Sequence, residues 1–193
     1  MDDLVLIGAG GHARACEDVI QAQGKFRIAG VVLPEKSKAY SDLGWDILGY
    51  DDEIGDLRKN FRHALVCIGQ VKTWQARVRA FELCIDAGLE LPVIVSPLAY
   101  VSPSAKIGAG TIVMHHAIVN SGAVVGTNGI LNTRCLIEHD AVIGDHCHVS
   151  TGGIVNGNAS VGSRTFVGSG AVVEHNSVVK EEMVVPAQSF FRK

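Results

Sequence analysis

From Val95 onward the chain places an aliphatic residue at every sixth position: Val95, Val101, Ile107, Val113, Val119, Val125, Leu131, Ile137, Ile143, Val149, Val155, Val161, Val167, Val173, Val179 and Val185. Val, Ile and Leu make up 53 of the 193 residues, so sixteen hits in a single phase are not a product of composition. A second register lies four residues after each aliphatic. It holds Ala99, Ala105, Thr111, Ala117, Ala123, Gly129, Cys135, Ala141, Cys147, Gly153, Ala159, Thr165, Ala171 and Ser177, all small, before Met183 breaks the rule. Gly or Asn often follows the aliphatic directly, as at Gly108, Asn120, Gly126, Asn132, Gly144, Asn156, Gly162 and Gly168.

The small residue precedes the next aliphatic by two, so on an extended strand both side chains point to the same side. Each hexad is then a short strand and a corner, which is the grammar of a parallel β-helix. A β-sandwich would show period two and irregular turns instead. The pattern matches the left-handed hexapeptide β-helix, in which three hexads make one triangular coil. About five coils stacked at the interstrand distance give a prism roughly 24 Å tall. No break in the register interrupts it.

The first half reads differently. Leu4-Val5-Leu6-Ile7 is a buried-strand run, followed by Gly8-Ala9-Gly10-Gly11-His12. A helix is predicted over 13–23, ended by Gly24, and strands over 28–33 and 64–68. A second helix is predicted over 73–87, closed by Gly88. Strand, glycine turn, helix and strand make a βαβ unit, so a small Rossmann-like parallel sheet is expected over residues 1–90, with the β-helix over 91–193. Within the turn, Gly8 allows the tight bend, and Gly10 and Gly11 allow a ligand to approach the backbone. The helix N-terminus behind them offers free N–H groups to a phosphate. Glu35 lies where a dinucleotide protein would touch the ribose. A plain βα turn would use the same glycines.

Charge and composition narrow the field. Seventeen Lys and Arg against twenty Asp and Glu leave a net charge of −3, which argues against a dedicated nucleic-acid binder or an anionic-membrane binder. No apolar run reaches the length of a spanning helix, and Asp2 and Asp3 stand where a signal peptide would be basic. Five scattered cysteines fit reduced thiols in a cytoplasmic protein.

The hexad also aims the histidines. One corner, read every 18 residues, is Pro103, Ser121, His139, Gly157 and His175. His139 should therefore project from the prism, with no side chain stacked on it at Gly157. Glu138 and Asp140 flank it, and a carboxylate bonded to an imidazole fixes its tautomer and raises its basicity. Asp140 is the preferred partner and Glu138 the second. His146 and His148 flank Cys147, but Cys147 falls in the inward register, so no ligand trio shares a corner and no metal is expected.

Both halves together resemble bacterial sugar acyltransferases of the sialic-acid O-acetyltransferase (NeuD/PglD) type. The likeness is strongest to the N-acetyltransferases that act on UDP-linked 4-amino sugars in the bacillosamine pathway. It rests on G-A-G-G-H, on I-G-Q after the third strand, and on N-T-x(4)-E-H-D-x-x-I-G-x(3)-H-V-S in the coil. The resemblance implies that His139 is the general base and Asp140 its acidic partner, with Asn132 and Glu138 lining the same pocket. It implies that His148 contacts the acetyl group and that Gly157 and Ser169 line the channel for acetyl-CoA, the co-substrate. Gly8, Gly10, Gly11, His12, Glu35 and Gly69 are placed at the nucleotide-sugar site. A homotrimer with intersubunit active sites is implied too.

The expected reaction is direct transfer. The sugar diphosphate docks at Gly10 to His12, an amine is deprotonated by His139, and no acyl-enzyme forms because Cys135 and Cys147 face inward. A sugar O-acetyltransferase would use the same apparatus. Less well suited to the pattern are a zinc protein like the γ-class carbonic anhydrases and a non-catalytic NAD-binding protein. Two departures from the family pattern stand out: Pro34-Glu35 replaces a pair of acidic residues, and the chain ends V-V-P-A-Q-S-F-F-R-K where G-V-P-A-K is usual.

Overall fold

The computed structural model describes residues 1–34, 44–71 and 73–192. It divides into two compact units: Met1–Gly69 with Gln75–Pro92, and Gln70–Trp74 with Val93–Lys193.

The first unit is built on a parallel sheet of β1 (Asp2–Ile7), β2 (Phe26–Leu33), β3 (Ile47–Tyr50) and β4 (His63–Val66), in the order β3-β2-β1-β4. Leu4 to Ile7 are fully buried, as a strand covered on both faces requires. Helix α1 (Gly11–Gln23) buries Ala13, Cys16, Val19 and Ile20, one stripe at helical spacing. Gly24 ends it in the left-handed conformation, its N–H bonded to the Ile20 carbonyl. After the short α2 (Ile54–Leu57), α3 (Gln75–Asp86) begins two residues later than predicted, because Gln70–Trp74 associates with the second unit. Strand β3 escaped the sequence reading: its four residues include Gly49 and follow no alternation.

Among the described residues the second unit is a coil of seventeen two-residue strands, from β5 (Ile94–Val95) to β21 (Phe190–Phe191). Each pairs in parallel with the strand 18 residues on, as Ile130 with His148 and Leu131 with Val149. Three sheets of six, six and five strands result, the faces of a left-handed β-helix. Every predicted aliphatic from Val113 to Val185 lies in one continuous core with Ala117, Ala123, Cys135, Ala141, Cys147, Ala159 and Ala171. The register runs one hexad beyond Val185, where Phe191 fills the aliphatic slot.

The corners hold a feature the sequence did not announce. The third residue after each aliphatic adopts positive φ, from Gly110 through Gln188. Ten of these residues are not glycine and have φ between 51° and 62°. That conformation costs roughly 1–2 kcal/mol per residue. From Asn128 onward the coil offsets it with a hydrogen bond at each turn. The N–H of Asp140 donates to Ser121 O at 3.0 Å, that of Asn158 to His139 O at 3.1 Å, and that of Arg164 to Asp145 O at 2.8 Å.

The three corners are not alike. The residues directly after the aliphatics are Ser96, Met114, Asn132, Ser150, Gly168 and Pro186 at the first corner, and Ser102, Asn120, Glu138, Asn156 and Glu174 at the second. At the third corner they are Gly108, Gly126, Gly144 and Gly162, with Lys180 closing the column.

Candidate functional site

The second corner carries His139. Its imidazole Nδ1 lies 3.0 Å from Asp140 Oδ2, and the two side chains are 52% and 60% exposed. Asp140 is one of the positive-φ corner residues, at 59°. That backbone turns its carboxylate back toward the preceding residue rather than out along the next hexad. Glu138 does not reach the ring. It accepts hydrogen bonds from Asn120 Nδ2 at 3.0 Å and from the His139 N–H at 3.2 Å, and so braces the backbone of the corner. The space expected to be vacant above Gly157 is filled by His139 itself. A Cβ built on Gly157 would lie 2.6 Å from both Cε1 and Nε2 of the ring. The imidazole leans along the edge of the prism, and its centroid is 6.3 Å from that of His175 two coils further on.

Asn132 and His148 form a second cluster. His148 is 5% exposed on the outer side of the first face. Its Nδ1 donates to the Gln70 carbonyl at 2.5 Å, so its Nε2 is an acceptor for Asn132 Nδ2 at 3.1 Å. Both ring nitrogens are therefore engaged by protein, with the neutral tautomer set by a carbonyl. Gln70 also donates through Nε2 to Arg164 O at 3.3 Å, while Arg164 stacks over the Trp74 ring at 5.3 Å. The sequence reading missed this clamp, since nothing local in Gln70–Trp74 announces a partner 78 residues away. Ser169 shares the first corner and pairs with Ser150 at 2.9 Å. Within one chain a whole face thus separates His139, Asp140 and Gly157 from Asn132, His148 and Ser169.

In the first unit, Gly8 (φ 97°) makes the bend after β1, and Gly10 is the N-cap of α1, with no side-chain cap and no acidic residue in the first turn. A Cβ on either Gly10 or Gly11 would meet nothing within 4 Å. The N-terminus of a thirteen-residue helix is thus open to an anion. His12 packs near Gly69, whose Cβ would lie 3.7 Å from that of His12. Behind it, Cys16 Sγ is 3.5 Å from His12 Nε2. A hydrogen bond from Cys67 holds the Cys16 thiol well below its usual range, with His12 and Arg77 adding to the effect, while burial pushes Cys67 up. Glu35 lies outside the described residues.

The neighbours of Cys147 diverge. Cys147 Sγ points inward to Gly162 O at 3.1 Å, His146 Nδ1 meets Asn128 Nδ2 at 3.0 Å, and His148 faces outward. Among the described residues no group of three or more His, Cys, Asp or Glu could hold a metal ion. Among them, too, no helix is long and apolar enough to cross a membrane.

A parallel-sheet unit with an open helix N-terminus and a hexapeptide β-helix with a His–Asp edge are the features to set beside known proteins. The resemblance to the PglD type holds: residues 3–81 match the PglD N-terminal domain. Over 114 residues, 59% of this chain, the sequence is 30% identical to UDP-N-acetylbacillosamine N-acetyltransferase of Bacillus subtilis (strain 168), and the match spans 52%, about half, of that protein's length. The acetyltransferase domain of PglB from Neisseria gonorrhoeae FA1090 superposes with a TM-score of 0.87, at 28% identity over 99% of this chain and 91% of that one. PerB from Caulobacter crescentus, solved in complex with CoA and GDP-perosamine, gives a TM-score of 0.89 at 29% identity, over 99% of this chain and 89% of that one.

Proposed function

We propose that this protein is an acetyl-CoA-dependent N-acetyltransferase acting on the 4-amino group of a UDP-linked amino-deoxy sugar. The observation that carries the reading is the His139–Asp140 pair on the prism edge. Asp140 accepts the Nδ1 proton, which leaves the Nε2 lone pair as the basic site of a ring more than half exposed. His139 removes a proton from the sugar amine as the amine nitrogen attacks the thioester carbonyl. The new C–N bond forms, the C–S bond breaks, and the thiolate of coenzyme A leaves and takes up a proton. A covalent acyl-enzyme plays no part: Cys135 and Cys147 are buried, and burial pushes both thiols up to about 12. The open N-terminus of α1, with Gly8, Gly10, Gly11, His12 and Gly69, takes the diphosphate of the nucleotide sugar. Support for this substrate class comes from the names of the relatives, which act on or bind nucleotide-linked amino sugars.

The protein works as a homotrimer with its sites between adjacent prisms. Exposed apolar residues line the second face (Tyr100, Ile118, Phe190) and the third face (Val124, Val142, Val178), side chains that a neighbouring prism would cover. A neighbour supplies the first corner, with Asn132, His148 and Ser169, that a single chain holds a face away from His139. The five buried, unpaired thiols suit a cytoplasmic enzyme.

The test is release of free coenzyme A thiol from acetyl-CoA across a panel of UDP- and GDP-linked 4-amino and 4-hydroxy sugars. Turnover with the UDP-amino sugar alone supports the full reading. Turnover only with hydroxy sugars makes the protein an O-acetyltransferase, and none with any member removes the reaction. The mass in solution by light scattering tests the trimer.

A further inference from the structure

The His139–Asp140 pair occupies two gaps in the corner column, each created by a glycine one coil away. On one side, the imidazole lies across Gly157, where a Cβ would sit 2.6 Å from Cε1 and Nε2 and 3.1 Å from Cδ2. On the other, the Asp140 carboxylate lies across Gly122, where a Cβ would fall well inside the 3.0 Å that real Cβ atoms respect against Oδ1. Both obstructing groups are side chains of the pair. Glycine at position 157 is therefore matched to His139 and not demanded by the coil itself, while Gly122, at φ 72°, meets the left-handed turn of the coil as well as the Asp140 carboxylate.

At the third corner the reverse holds. A Cβ on Gly144 would strike the Ser163 backbone N at 2.6 Å, and one on Gly162 the Glu181 backbone N at 2.5 Å. Those glycines serve coil stacking.

We propose that Gly157 and Gly122 are positioning residues, the seats that lay the His139 imidazole and the Asp140 carboxylate flat along the prism edge in hydrogen-bond register. For Gly157 this adds to, and is separable from, lining a coenzyme channel. The inference rests on His139 being the general base. The seat itself is a property of the ligand-free protein. The other ionisable groups facing the ring are Glu138, turned to Asn120 and the His139 N–H, and His175 across Gly157.

The experiment compares Gly157→Ala, His139→Ala and the double variant, with nitrogen NMR of the labelled histidine rings in the free protein. Gly157 is not among the positive-φ glycines, so alanine is compatible with its backbone. Gly157→Ala should change the His139 ring signals from the Nδ1-protonated pattern, because the ring must leave its seat. It should lower kcat by about tenfold or more while the dissociation constant for coenzyme A stays within twofold. In the His139→Ala background the same change should cost nothing further, since the group it displaces is gone.

Unchanged ring signals in Gly157→Ala would overturn the seat. So would an equal loss of turnover with and without His139, or a weakened coenzyme affinity as the whole effect. Should His139→Ala keep normal turnover, the general-base reading fails instead, and the ring signals still decide whether the seat exists. Gly122→Ala carries a backbone strain of its own at φ 72°. Its companion is therefore Gly122→Ala with Asp140→Ala, which should recover the thermal midpoint lost to the carboxylate overlap.

Discussion

Two corners of the same coil, written in the same hexad, do opposite things. The third is a column of Gly108, Gly126, Gly144 and Gly162, where consecutive turns approach so closely that a single methyl group would strike backbone. The second replaces that column with Asn120, Glu138 and Asn156, and one residue on carries Ser121, His139, Gly157 and His175. Close stacking removes side chains from an edge, and an edge with side chains can carry chemistry. The comparison teaches that in a repeat the functional edge is the one that departs from the tightest packing. A glycine on that edge is then understood from the side chain lying over it.

The sharpest way to break this division is His139→Ala. Loss of the proposed base should lower kcat by about 10²–10⁴-fold in the thiol-release assay. The thermal midpoint should move little, since the ring is half exposed. A large loss of stability there would mean that the second corner, too, serves the fold. Next in size is Gly144→Ala at the third corner, which should cost about 1–3 kcal/mol of unfolding free energy in a denaturant titration, the penalty of forcing extra atoms into a packed site. Stability unchanged by that substitution would show that the column has slack.

The core between the corners can be probed through its thiols. Burial pushes Cys135, Cys147 and, in the first unit, Cys84 from 9.0 to about 12. A thiol whose folded pKa lies above its unfolded value adds stability that is complete below pH 9. That stability is lost as pH climbs toward 12, because only the unfolded chain releases the proton. Unfolding free energy should thus fall between pH 9 and pH 12, by about 1.4 kcal/mol per pH unit for each such thiol. Cys135→Ala should flatten the slope. The smallest effect is expected at Arg164, which pairs with Glu181 at 2.7 Å and Glu182 at 2.9 Å on the surface of the third corner. Arg164→Gln should cost about 0.5–1 kcal/mol, less at high salt.

Much of this was legible in advance. The aliphatic and small registers are local, periodic and buried, so the core from Val113 to Val185 could be read residue by residue. The position of His139 on a corner, with Asp140 beside it, followed from counting. Other features were not legible. Strand β3 has no alternation of its own and exists because β2 offers it an edge. Phe191 completes the register with an aromatic residue that a search for Val, Ile and Leu passes over. The left-handed residues at the corners include Arg134, His146 and Glu182, types with no preference for positive φ; hydrogen bonds to the previous coil place them there. The hold on both His148 ring nitrogens by Gln70 and Asn132 is set by no local pattern.

Taken alone, the amino-acid order determined the six-residue period, the two kinds of half and the identity of the inward-facing side chains, because hydrophobic burial on a short repeat is decided within each repeat. The tertiary structure alone decided which side chains meet across coils: the imidazole over Gly157, the carboxylate over Gly122 and the Gln70 carbonyl on His148. Those contacts join residues from 18 to 78 positions apart. They depend on how far each side chain leans once the stack is formed, which no local pattern encodes.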